Sequence, residues 1–556
     1  MKPSSSIHRL EMRAALAGVA RSVVFPVISL HLSDAVPRDR PVGASPGQDL
    51  AHETMRERHR SPVPDRFRFK DARHAPISPT DHMNATTARP TLVQNREILR
   101  LGMRASTIEG VLATPVVTMS LPVNIFMTAL VAKGFPLSKP DIGAASSLPF
   151  ACNFLQLFIT PLVTRWARAK PTAIIAAALH TACWVWLGWK LPSLSPDDPV
   201  ATGRFLLIWV FVASFFNAVL AVVWNGWMHD LVPARLRGRY FSQRNRYCQG
   251  STLVFVLSVG AVLSWGEYSA RTFQLIIAVA CVCRVASLFY FARMPDRQPE
   301  THVRHAPLLP LRDQLVVVRR SPSLLLFIAF GAVWSFASNC FGPFYHVFMF
   351  EQLGFSGMQV GILATLTALG GIVSLPVWGG LLDRYGNKAC MAVALGLWQA
   401  QNFLWCIITP ANSTILYGMW FWGGALSAGF VLGQFTILLK LIPAEARSLA
   451  IGLNLAVSSI VAALSPIIGG EVLGRLLALG YAELDVYHFV FLVQPVVSLM
   501  ACILLLRIEE SDSSPLSSVV GAMRNIRTLS GVLGLSFFVN YLFVSPAERV
   551  SRRTVK

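Results

Sequence analysis

From residue 107 to residue 506 the sequence is a succession of apolar runs, each roughly 18 to 26 residues long, enough to cross about 30 Å of hydrocarbon at helical rise. Runs of that length leave few folds open. Within lipid only a helix satisfies its backbone hydrogen bonds inside one continuous stretch. Twelve such spans are expected, at 107–132, 141–163, 171–191, 203–228, 247–266, 272–292, 323–346, 357–380, 389–409, 414–439, 448–470 and 486–506. Charged residues make up 14% of the chain, against about 25% in a soluble protein, which excludes an ordinary soluble enzyme. The expected fold class is an all-α polytopic membrane protein.

The net charge of +20 arises from 49 Lys and Arg against 29 Asp and Glu. In a soluble chain this excess would suggest nucleic acid, but here loop topology accounts for it and no nucleic-acid partner is expected. The loops after even-numbered spans hold about three times as many basic residues as the loops after odd-numbered spans. That bias places both termini in the cytoplasm and the protein in the cell's inner (cytoplasmic) membrane. The nine cysteines lie in or at the ends of apolar runs, as small filler rather than a disulfide framework. Cys281 and Cys283 are two apart, on different faces of a helix, so no metal is expected. No cofactor is expected either.

The chain divides into a basic, Pro- and Arg-rich tail over 1–100, a six-helix bundle over 101–292, a cytoplasmic linker over 293–322, a second bundle over 323–507 and a tail over 508–556. The first tail has the composition of disorder. Met83 offers an alternative start, and a chain beginning there is expected to insert and function. Thr528–Val544 is expected to lie along the membrane surface, because crossing would carry Arg549, Arg552, Arg553 and Lys556 outward, against the charge bias.

The two halves repeat one another. Leu231-Val232-Pro233-Ala234-Arg235-Leu236-Arg237 follows span 4, and Leu441-Ile442-Pro443-Ala444-Glu445-Ala446-Arg447 follows span 10, at a spacing of 210 residues. Fused repeats enclosing a site at their interface are a transporter architecture. The alignment sets Asp230 opposite Lys440, opposite charges at the cytoplasmic ends of spans 4 and 10.

After span 8 the chain reads Gly379-Gly380-Leu381-Leu382-Asp383-Arg384-Tyr385-Gly386-Asn387-Lys388. With twelve spans in two related halves, this resembles the Gly-x-x-x-Asp-Arg-x-Gly-x-(Arg/Lys) signature of the major facilitator superfamily. The matching place after span 2, Thr164-Arg165-Trp166-Ala167-Arg168-Ala169-Lys170, lacks the acid and the glycine. The resemblance implies two pseudo-symmetric bundles, alternating access and a cytoplasmic gate. The gating set then comprises Asp230, Arg237, Gly379, Asp383, Arg384, Gly386, Lys388, Lys440 and Arg447. Gly379 and Gly386 would allow close helix approach and a tight turn, and Asp383 would accept from helix N-terminal amides or pair with a cation. The proline-containing span 5 signature of drug–proton antiporters is missing from Ser251–Gly260, and a partial echo lies at Ser465-Pro466-Ile467-Ile468-Gly469-Gly470 in span 11.

Polar groups inside spans are costly and mark candidate function. The candidate substrate-binding residues are Asn124, Gln156, Asn217, Trp224, Asn339, Trp420, Gln434 and Asn454. Amides beside indoles, with few mid-membrane acids, suit a neutral hydroxylated solute such as a sugar or nucleoside. The other reading is that the amides join helices and the indoles sit at interfaces. Two charges fall within spans, Glu109 and Arg284. Arg284 either snorkels toward the cytoplasm or needs a buried partner, and Glu109 is the available acid. His180 is read as a packed histidine rather than a proton relay.

No phosphate-binding loop, nucleophile elbow or zinc helix occurs, so no catalytic residue and no enzymatic or ATP-driven activity is expected. The expected function is ion-coupled uptake of a small neutral solute, with protons or sodium as coupling ion and the bilayer as surroundings, by a monomeric permease. Efflux, or a sensor or assembly role without transport, is the alternative.

Overall fold

The computed structural model describes residues 92–166, 168–194, 198–296, 310–510 and 514–524. The expectations for the remainder of the first tail and for Thr528–Val544 lie outside the described residues. Among the described residues there is no strand. Eleven helices are long and apolar enough to cross a membrane, and Ile125–Gly134 adds a shorter apolar one. With the helix before it, that shorter helix makes span 1 of a twelve-helix bundle.

Span 1 departs from the expectation of one helix over 107–132. Its first helix, Leu92–Met119, starts within the segment assigned to the tail. Glu97, Arg100 and Arg104 lower the hydropathy there, yet Leu99 still packs against a core of Trp227, Phe291 and Met294. The helix stops before Pro122 and resumes as Ile125–Ala129, ending in a π turn at Leu130–Gly134. Span 7 is broken at the matching place of the second half, into Pro322–Cys340 and Gly342–Glu351, with Pro343 opening the second piece. The linker carries its own short helix, Leu311–Arg319, and the second tail carries Leu516–Arg524.

The other spans lie close to their expected places. Spans 2 to 6 are Lys139–Trp166, Ala169–Lys190, Pro199–Leu231, Ala234–Trp265 and Ala270–Arg293. Spans 8 to 11 are Gly357–Tyr385, Asn387–Asn402, Ile415–Leu441 and Arg447–Ala478. Span 12 is Glu483–Phe491 continued by Val493–Leu506.

The two halves are joined at one end and parted at the other. At the end opposite the arginine-rich loops one apolar core draws on both halves, including Phe126, Trp184, Trp209 and Phe273 from the first and Phe344, Phe348, Trp405 and Phe491 from the second. At the arginine-rich end the cores are separate. Trp227, Phe291 and Met294 belong to the first half alone, and Phe327, Trp378, Phe430 and Leu505 to the second alone.

Small residues make the joined end possible. Span 2 crosses span 11 where Gly143 lies on Pro466 and Gly470, and span 5 crosses span 8 where Gly260 lies on Gly357. A β-carbon on Gly143 would sit 2.2 Å from the Pro466 carbonyl oxygen, and one on Gly260 would sit 2.5 Å from the Gly357 oxygen. Only glycine permits backbones so close. The span 11 segment that echoes an exporter signature is therefore an inter-half crossing. Polar contacts complete the closure. Lys139 pairs with Glu351, the Gly357 N–H donates to the Tyr268 hydroxyl at 2.9 Å, and the Met358 N–H donates to Ser264 Oγ at 2.9 Å.

Candidate functional site

The halves are parted at the arginine-rich end, and on the first-half side span 1 carries a buried acid, Glu109, 3% exposed. Glu109 Oε1 accepts from Arg284 Nη1 of span 6 at 3.2 Å, and Oε2 accepts from Arg244 Nη2 of span 5 at 3.4 Å. Arg284 is 1% exposed and also donates to Ser287 Oγ at 3.0 Å, so it has a buried partner and does not snorkel. Arg244 belongs by sequence to the charges after span 4. Span 5 begins at Ala234, which carries Arg244 into the bundle, where its guanidinium stacks 4.4 Å above the Trp224 ring. Arg244 was not legible as a site residue, because the helix start that buries it lies in a polar stretch.

The candidate amides divide by what they already hold. Asn124 caps the second helix of span 1: its Oδ1 accepts from the Met127 N–H at 2.8 Å, and its Nδ2 donates to the Met119 and Leu121 carbonyls at 2.9 and 2.7 Å. It stitches both sides of the break and has no amide hydrogen left for a solute. Asn339 Nδ2 donates to the Ser335 carbonyl at 2.8 Å, and Gln156 Nε2 donates to Asn153 Oδ1 at 3.0 Å. Asn217 and Gln434 are half-buried and make no hydrogen bond among the described residues. Asn454 is half-buried and turns its Oδ1 toward Gly331 of span 7. The Trp420 ring meets His346 edge-on, with centroids 5.5 Å apart.

Span 7 adds groups beyond this set. Trp334 Nε1, Ser338 Oγ and His346 Nδ1 are buried without a partner. Trp334 and Ser338 are four residues apart, on one helix face. Between the two broken helices lies a water-sized void of about 30 Å³, lined by Pro122, Met127, Thr128, Ile142, Ser146 and Pro343 among others.

His180 is buried in the first half and hydrogen-bonded. Its Nε2 lies 3.0 Å from Ser120 Oγ and 3.2 Å from Trp184 Nε1, so span 3 braces the break in span 1.

The signature loop after span 8 is organised by a residue that the sequence did not single out. Glu510, which follows span 12, accepts from the Asn387 and Lys388 backbone N–H groups at 3.2 and 2.7 Å, from Asn387 Nδ2 at 2.8 Å and from Lys440 Nζ at 3.0 Å. It caps the N-terminus of span 9, where the helix dipole favours an anion. Burial pushes its carboxyl up, but the four donors together outweigh burial and hold it below the usual carboxylate range.

Around this hub the gating residues take different places. Lys388 Nζ donates to the Ile508 carbonyl at 3.0 Å. Gly386 has φ +87°, which requires glycine, so the tight turn is present. Nothing lies within 4 Å of a β-carbon on Gly379, so the close approach expected of it does not occur here; the parted halves leave that face open. Asp383 is exposed and bonds to nothing among the described residues, and Arg384 lies over the Tyr385 ring at 5.5 Å. Arg447 is exposed at the start of span 11. Arg237 closes the end of span 4, donating to the Val232 carbonyl at 3.0 Å and the His229 carbonyl at 2.7 Å. Lys440 turns to Glu510, and the Asp230 side chain lies outside the described residues.

The sequence matches the Major Facilitator Superfamily over residues 112–338 and 332–547. No curated protein matches it closely enough to register. Among solved structures, the fold is similar to a D-xylose–proton symporter with a TM-score of 0.57 at 14% identity, covering 75% of this chain and 100% of that one. The nucleoside transporter NupG gives 0.53 at 16% identity, covering 74% and 98%. The xylose transporter XylE from E. coli, in an inward open conformation, gives 0.52 at 13% identity, covering 77% and 99%. At these identities the likeness is one of fold.

Proposed function

The chain belongs to the Major Facilitator Superfamily, and from that membership we propose that it is a secondary transporter carrying a small polar solute across the membrane by alternating access. The observation that carries this reading is the one core shared by both halves at the joined end, set against separate cores at the arginine-rich end. Two rigid halves that meet through backbone-close glycines at one end can rock about a central site. The charge bias of the loops supports placing the arginine-rich end in the cytoplasm, so the parted end of the bundle faces inward.

Support for a neutral solute is thinner than the sequence suggested. Asn124 is a helix cap, and Asn339 and Gln156 already donate within their own helices. The groups left for a solute include Asn217, Gln434 and Asn454, the unpartnered donors of span 7, and the Trp224–Arg244 stack. Solute class therefore turns on Arg244 more than on the amides.

Spin labels test the mechanism without knowledge of the solute. One pair sits at the open end, on cysteines replacing Gly238 and Glu445, and one at the joined end, replacing Glu267 and Tyr481. In proteoliposomes both pairs are expected to give two distance populations, the open-end distance shortening as the other lengthens. Fixed distances at both ends under all conditions would be those of a sensor and would end the transporter reading.

A further inference from the structure

Two guanidiniums share one carboxylate in the first half. Glu109 is the one acid among the described residues that reaches Arg244 or Arg284. One positive charge is thus left without a counter-ion in a partly desolvated place, which is costly unless something else supplies the anion.

The spare charge is the Arg244 end. Arg284 is sealed in the bundle, with its Nε buried and unpartnered. The Arg244 side chain is 12% exposed, donates through Nε to the Ser106 carbonyl at 3.3 Å and through Nη2 to Glu109 at 3.4 Å, and holds nothing with Nη1. Both contacts are long for charge-assisted hydrogen bonds, whose usual range is about 2.7–2.9 Å. Position, by contrast, is tightly set. A β-carbon on Gly110 would lie 2.4 Å from Arg244 Nη2 and 2.7 Å from Cζ, so the guanidinium rests on bare backbone on one side and faces the Trp224 ring on another. A planar fork held in that way, with one arm free, matches the two oxygens of a carboxylate or phosphate.

We propose that Arg244, seated on Gly110 and stacked on Trp224, is the anchor for the oxyanion of a small organic acid or phosphate ester, making the solute anionic. This rests on the transporter reading and names its solute class. When the oxyanion docks, Arg244 exchanges its weak contact with Glu109 for the ligand, and Glu109 stays with Arg284. Two cations then face two anions and the site is balanced. Trp224 offers a flat apolar surface to the rest of the solute.

The test is thermal unfolding of the full-length protein, purified in detergent, with four probes of one size class: gluconate, glucose 6-phosphate, glucose and glucosamine. Matched potassium chloride controls for ionic strength. At least one of the two anions is expected to raise Tm, and comparison of the two separates carboxylate from phosphate; glucose and glucosamine should leave it unchanged. Arg244→Gln should abolish the rise. Gly110→Ala, which keeps the charge but displaces the guanidinium, should raise the anion concentration needed at least tenfold, and it carries the test if Arg244→Gln does not purify. No stabilisation by either anion, equal stabilisation by glucose or glucosamine, or an anion effect that survives both variants overturns the proposal. Two-state spin-label distances alongside any of those results would leave the transporter reading standing and remove only the anionic class.

Discussion

Gly143 of span 2 and Gly470 of span 11 meet so closely that a β-carbon on either would lie 3.2 Å from the Cα of the other. They come from opposite halves, so under the proposed alternating access their contact belongs to the conformation parted at the arginine-rich end. A larger residue there would then overpack the joined end and leave the opposite conformation untouched. Overpacking of this kind costs about 1–3 kcal/mol, which displaces the conformational equilibrium roughly 5- to 150-fold. Gly143→Leu is expected to shift spin-label distances at the joined end toward the longer population and to slow transport. Unchanged distances would mean that the crossing tolerates bulk and is not the hinge of closure.

Glu109 and Arg284 give a second expectation. Removing one partner of a buried pair strands the other charge and costs about 3–5 kcal/mol. Glu109→Gln and Arg284→Met are each expected to lower thermal stability strongly. Glu109→Gln is the worse, because it strands two guanidiniums, Arg244 included. The double variant should cost clearly less than the two singles added, since each loss contains the same broken pair. Simple additivity in a denaturation series would show that the pair is not coupled.

The spans were legible because hydrocarbon thickness fixes helix length, and the repeat was legible because Leu231–Arg237 and Leu441–Arg447 end matching helices. Glu109 and Arg284 could be paired from sequence alone because a buried cation leaves little choice of partner. Arg244 escaped that reasoning. A charge-rich stretch scans as a loop, and no residue announces that the helix starts at Ala234. Asn124 was legible as polar but not as a cap, since the break at Pro122 becomes visible only once both carbonyls that its amide takes are known. Glu510 lies far in sequence from the signature loop it organises, so only the fold brings the two together.

Glu510 yields a pH dependence with a definite sign. Its carboxyl is held below the usual range, so it binds protons less readily folded than unfolded. Its stabilisation is then fully present above the unfolded value of about 4.3 and is lost as pH falls through the lower folded value. A single hydrogen bond to a charged group contributes about 1.5–3 kcal/mol, and the Glu510 side chain is only 4% exposed, so screening is modest. Glu510→Gln should lower Tm at pH 7, and the gap to the native protein should shrink as the medium is taken below about pH 4. A gap that stays constant with pH would assign the effect to packing rather than charge.

Lys440 and Asp230 are proposed to attract across the arginine-rich end when it closes. In the open conformation Lys440 is held by Glu510 at 3.0 Å, within its own half, so closure would require it to change partners or to share itself between two acids. Its side chain is 48% exposed, and an exposed pair contributes only about 0–1 kcal/mol, enough to bias the equilibrium and too little to lock it. A charge swap at Lys440 alone would also set an acid beside Glu510, which confounds the reversal. Neutral variants separate the two effects. Asp230→Asn should favour the open conformation modestly and leave stability unchanged, because its proposed partner is engaged elsewhere. Lys440→Gln should favour the open conformation to the same degree but also lower Tm, through the lost Glu510 contact. In the double variant the conformational shift should equal that of either single, since both remove one interaction. Open-end distances between labels at positions 238 and 445 read the shift directly. Shifts that add in the double variant would show that the two residues act independently and that each marks only the membrane boundary.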